Sequence, residues 1–118
     1  MAAENQRHLE PSLDGSPLEV CIALLTADIA PEEASLRTTA IVNLSELKTR
    51  DLLRGAATLF SAAAYLGGME DIAASLWLIA RAKDRLREVA LIWLEPRTCS
   101  CCVELRRNLV SAGEHGKS

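Results

Sequence analysis

The sequence predicts an all-α protein: a compact bundle of four to five helices with short turns and mobile termini. Three observations predict it. Hydrophobic residues make up 49% of the 118-residue chain and aromatic residues only 3%, so the core is aliphatic, and the Leu and Ala that dominate it favour helix. Apolar residues recur at helical spacing between recognisable start and stop signals. A single β-branched stretch, "TTAIVNL" (38–44), suggests a strand, and no second strand signal pairs with it.

Residues 1–16 carry polar and turn-forming types without periodicity and are expected to form a mobile arm. Ser16 followed by Pro17 begins a first helix, by N-capping with proline at the first helical position. Leu18, Cys21, Ile22, Leu25 and Ile29 share one face of it. Pro31, Glu32 and Glu33 start a second helix, because carboxylates suit a helix N-terminus. Its apolar stripe is Leu36, Ala40, Leu44 and Leu47.

A break near Thr49 separates this stripe from the next, which is rotated by more than a quarter turn: Leu52, Leu53, Ala56, Leu59, Phe60, Ala63 and Leu66. Gly67 and Gly68 are expected to end the third helix as C-caps. Met69, Glu70 and Asp71 open a fourth that stops before Pro96, with Ile72, Leu76, Ile79, Leu86, Val89, Ala90 and Trp93 on its apolar face. Thr98 is expected to cap a fifth helix ending at Gly113. A single helical domain over 17–112 and a flexible tail over 113–118 complete the organisation.

Charge and motifs narrow the function. Net charge is −3, so the whole chain exerts no pull on nucleic acid or acidic lipid. No segment has the roughly 20 apolar residues of a membrane span. The start lacks the basic-then-apolar order of a signal peptide, which suggests a cytoplasmic protein with reduced thiols. No phosphate-binding, dinucleotide, zinc-protease or nucleophile-elbow motif is present, and His8 and His115 lie in the expected tails. An enzyme is therefore not expected, and neither is a cofactor.

Cys99, Cys101 and Cys102 crowd into four positions. Redox dithiols share the Cys99–Cys102 spacing, but usually follow a strand. Zinc needs four ligands, and on a regular helix Cys101 points about 100° away from its neighbours. The favoured expectation is that Cys99 and Cys102 pack as small hydrophobes in a stripe with Val103, Leu105, Leu109 and Val110, leaving Cys101 exposed.

The run "RAKDRLRE" (81–88) is expected to be a solvated face knitted by ion pairs, with phosphate binding through Arg81, Lys83, Arg85 and Arg87 as the alternative. A helix-turn-helix around 43–56, with Lys48, Arg50 and Arg54 outward, is a weaker signal of the same kind. Trp77 breaks pattern. It falls about 100° outside the apolar stripe, aligned with Ala73, Ala80 and Leu91 and near Arg81 and Arg85. Tryptophan is enriched among binding hot spots, so these residues form the expected partner-binding surface. The leading expectation is a small non-catalytic adaptor or inhibitor that binds protein, with a homodimer as its own assembly state. A nucleic-acid-binding regulator and a metal or thiol-redox protein are the alternatives.

Overall fold

A computed structural model describes residues 16–117 of the chain, the last five by their helical backbone alone. Of the arm expected over 1–16, residues 1–15, with His8, lie outside the described residues, as do Ser118 and the His115 side chain. Five helices follow one another: α1 (Pro17–Thr26), α2 (Pro31–Val42), α3 (Leu47–Gly68), α4 (Ile72–Leu94) and α5 (Ser100–Lys117). The all-α bundle predicted from the sequence is the fold, and "TTAIVNL" belongs mostly to α2.

Local chemistry sets most of the boundaries. At α1, Ser16 Oγ accepts from the Glu19 amide and Glu19 Oε1 accepts from the Ser16 amide, both at 3.3 Å, a reciprocal capping box. Pro17 occupies the first helical position. Pro31 does the same for α2, and Glu32 and Glu33 complement its N-terminal dipole. The break between α2 and α3 falls at residues 43–46, earlier than Thr49, which is buried inside the first turn of α3. Arg50 Nη2 donates to the Ser45 carbonyl at 2.9 Å and fixes that turn.

The turn between α3 and α4 corrects the glycine reading. Gly67 and Gly68 stay inside α3, and the left-handed residue is Glu70, at φ 65°. The Glu70 amide donates to the Gly67 carbonyl (3.0 Å) and the Asp71 amide to the Leu66 carbonyl (2.9 Å), the paired bonds of a Schellman motif. Glu70 thus occupies the position glycine usually fills. Asp71 then caps α4, its Oδ1 accepting from the Ala74 amide at 3.3 Å. Because an L side chain pays for left-handed backbone, Glu70→Gly is expected to raise stability by about 0.5–1 kcal/mol, read as a higher denaturation midpoint with unchanged slope. A lower midpoint would show that the Glu70 side chain contributes more than its strain.

The long α3 and α4 pack as an antiparallel hairpin, with α2 against α3 and with α1 and α5 against α4. Leu53, Ala56, Phe60 and Ala63 of α3 meet Ala82, Leu86, Val89, Ala90 and Leu94 of α4 in the core, joined by Leu18, Cys21 and Leu24 of α1. Ser75 Oγ donates to the Ala63 carbonyl at 2.7 Å and satisfies the polar atom buried between the two. Arg106 Nη1 of α5 donates to the Leu94 and Glu95 carbonyls, capping the C-terminus of α4 with a cation.

Two predicted stripes do not face the core. Leu36 of α2 and Leu44 in the turn after it are each 69% exposed, Leu47 at the start of α3 is 72% exposed, and Ala40 of α2 is exposed too. The buried residues of α2 are Ala34, Thr38, Ile41 and Val42. Small side chains allow α2 to lie close against the alanine-rich α3. Ser35 Oγ reaches the Ala57 carbonyl at 3.1 Å, and Thr38 Oγ1 satisfies itself on the Ala34 carbonyl at 2.7 Å. In α4, Ile72 and Leu76 are exposed although Leu86, Val89 and Ala90 of the same predicted stripe are buried. The reason is length. α1 has 10 residues against 23 in α4, about 15 Å against 35 Å. Cys21 of α1 donates to the Leu86 carbonyl, which places α1 over the middle of α4, and α5 lies at its far end. The first turns of α4 therefore lie against α3, beyond the reach of α1. Lastly, α5 runs on to Lys117 through Gly113, where the sequence predicts a stop. Glycine lowers helix propensity by about 1 kcal/mol without forbidding helix.

Candidate functional site

Two features stand out from the framework: an apolar hairpin tip and a cluster of thiols.

The tip gathers Tyr65 and Met69 from the end of α3 with Ile72, Leu76 and Trp77 from the first turns of α4. Their exposures run from 57% to 68%. Tyr65 lies in the last turn of α3 and Met69 at its C-cap, while Ile72 and Leu76, four residues apart on α4, share a face. Ala73 and Ala80 are exposed alongside them. Arg81 lies over the Trp77 ring, 5.0 Å from its centroid, a cation–π contact that orients both side chains at the surface.

Of the predicted partner-binding residues, Trp77, Ala73, Ala80 and Arg81 thus come together on this surface. Leu91 does not. It is half-buried against the core and lines a shallow groove with Arg106 and Val110 of α5. Arg85 is also partly buried: a Cβ built on Gly55 would sit 3.1 Å from Arg85 Cδ, so glycine at 55 makes room for this side chain across α3. Sequence reasoning missed Tyr65, Met69, Ile72 and Leu76. The last two were assigned to the core because their spacing matches the buried part of α4. Trp93 does pack against the core, half-buried.

The basic run is largely engaged. Arg87 pairs with Asp84 at i,i+3, Arg81 covers Trp77 and Arg85 covers Gly55. Lys83 and Arg87 are partly buried. In the 43–56 segment Lys48 and Arg54 are exposed, while Arg50 is turned back onto the Ser45 carbonyl.

The thiol cluster corrects the packing expectation for Cys99. Cys99 and Cys101 are exposed, and only Cys102 packs against the core, together with Leu105 and Leu109. The three Sγ atoms lie within 4.8 Å of one another, and those of Cys99 and Cys101 are 3.5 Å apart. They converge because Cys99 is not in the helix. Its carbonyl accepts the first intrahelical bond, from the Val103 amide at 3.0 Å, which makes Cys99 rather than Thr98 the N-cap residue. The 100° rule governs positions within a helix and does not bind the residue before it. Hydrogen bonds from the Cys102 thiol and amide and from Cys101 hold the Cys99 thiol below its ordinary pKa, whereas the Cys99 bond raises that of Cys102.

Cys21 is a thiol of the opposite kind. Burial pushes its pKa from 9.0 up to about 12, and its Sγ donates to the Leu86 carbonyl at 3.2 Å. A folded-state pKa raised above the unfolded one gives stability that is whole below pH 9 and is lost as pH climbs towards 12. Above pH 9 the thiol is expected to cost stability at about 1.4 kcal/mol per pH unit. Denaturation of the native chain and of Cys21→Ala at several pH values isolates this slope, and parallel pH profiles would reject it.

No family model, curated protein or solved structure matches the chain. The described residues form a five-helix bundle of the all-α class, with an apolar hairpin tip and a three-thiol cluster. Among the described residues no helix is long and apolar enough to cross a membrane.

Proposed function

We propose that this chain is a small, non-catalytic interaction protein of the adaptor or inhibitor type, whose working surface is the α3–α4 hairpin tip and whose first partner is a second copy of itself. The observation that carries this reading is the exposure, by more than half, of five large apolar side chains at one end of the molecule.

Their size supports it. Summed over the tip, they expose on the order of 500 Å² of surface, enough to supply the apolar part of an interface of about 800 Å² per partner. Charge supports the choice of partner. Lys83 shares the Leu76 face of α4, seven residues further on. Two α4 helices crossing antiparallel at Leu76 set the acidic tip of each, Glu70 and Asp71, against Lys83 of the other. Such a contact is isologous and closes as a two-fold dimer. Two hairpins meeting this way make a four-helix arrangement, which covers the turns of α4 that α1 is too short to reach.

Light scattering across a concentration series tests the reading. A dimer that dissociates on dilution, and dissociates more readily in Leu76→Glu, is the expected result. A monomer at every concentration overturns self-association through this face.

A further inference from the structure

The three thiols that converge at the start of α5 suit a soft metal ion, independently of what docks on the hairpin tip. We infer that Cys99, Cys101 and Cys102 form a three-coordinate site for a thiophilic monovalent d10 ion, Cu(I), at the N-terminus of α5. Sulfurs bound to one ion at about 2.3 Å each lie about 4 Å apart in a trigonal arrangement. The Cys99–Cys101 separation of 3.5 Å and the 4.8 Å within which all three sulfurs lie bracket that spacing, so modest side-chain rotation closes the ring.

The donor set selects the ion. Thiolates are soft ligands and favour Cu(I) and Zn(II) among the common metals. Zn(II) asks for four ligands, and among the described residues no histidine, aspartate or glutamate joins the three sulfurs. Cu(I) is satisfied by three. Binding replaces three S–H protons with one monovalent cation and involves no change of oxidation state, so the site gains two negative charges when loaded. Two features offset them: the α5 N-terminus, whose free amides and dipole favour anions, and Arg97, which lies close enough to Cys102 to favour its thiolate. Two of the three thiols are exposed, so an incoming ion has direct access.

The test is an anaerobic titration of the reduced full-length chain with Cu(I), read by thiolate-to-copper charge-transfer absorption and by competition with a chromophoric Cu(I) chelator. One equivalent is expected. Cys99→Ser, Cys101→Ser and Cys102→Ser are each expected to weaken binding by roughly tenfold or more, while Cys21→Ala keeps the full equivalent. The exposed Cys99 and Cys101 can be changed without disturbing the core, and circular dichroism checks the Cys102 variant. Absence of the charge-transfer band, binding that survives loss of any one of the three thiols, or displacement of the copper by equimolar Zn(II) would each overturn the assignment.

Discussion

Phe60→Ala is expected to destabilise the fold by about 3–5 kcal/mol, a large fraction of the roughly 5–15 kcal/mol typical of a folded domain. Phe60 is 1% exposed and is the one phenylalanine in the chain. It sits on the face of α3 that also carries Leu53, Ala56 and Ala63, all fully buried. Two of those three neighbours are alanines, so no long side chain on the same face can swing into the space the ring leaves. The cost of such a cavity grows with the volume that remains unfilled. Alanine is otherwise welcome in helix, so the loss comes from packing and not from propensity. Phe60→Leu keeps most of the volume and is expected to cost about 1–1.5 kcal/mol. Chemical denaturation followed by far-ultraviolet circular dichroism measures both. A Phe60→Ala protein as stable as Phe60→Leu would mean that the core collapses around the site.

Trp77→Ala is expected to weaken self-association by about 2 kcal/mol, close to thirtyfold in Kd, while the stability of the monomer changes little. At 59% exposed, Trp77 has little packing to lose, and its contact with Arg81 is worth only about 0.5–1 kcal/mol at an exposed position. Trp93→Ala gives the opposite result. Its ring packs against the core, so truncation is expected to cost about 2–3 kcal/mol of folding free energy. Light scattering with denaturation at concentrations below the dimer midpoint separates the two outcomes. If Trp77→Ala melted as early as Trp93→Ala, the tryptophan would be a packing residue and the anchor role would fail.

The two tryptophans also show how far a helical pattern can be read. Trp93 lies on the predicted stripe and packs inward. Trp77 lies off it and is exposed, yet Ile72 and Leu76, on the stripe, are just as exposed. Periodicity identifies which residues share a face. It does not say whether a neighbour reaches that face. Along α4 the same azimuth is core where α1 lies and surface where it does not. The surface at the tip was therefore legible at Trp77, Ala73, Ala80 and Arg81 and illegible at Ile72 and Leu76, while Leu91 shares their azimuth and is covered at the other end. Leu36 in α2 and Leu44 just beyond it give the same lesson: bulk does not imply burial, and the buried face of α2 carries Ala34 and Thr38 instead.

What the sequence determined by itself was the all-α class, the order of the helices among the described residues and the starts of α1, α2 and α4. Those depend on interactions within a few residues: Ser16 with Glu19, proline at 17 and 31, and Asp71 with Ala74. Tertiary structure decided which faces are covered, because coverage depends on relative helix length and on where each helix crosses its neighbour. It also decided the fate of the thiols. The separation of Cys99, Cys101 and Cys102 along the chain is the same in or out of a helix, but their sulfurs meet only because Cys99 stops one residue short of α5, where the backbone is free of the helical 100° step.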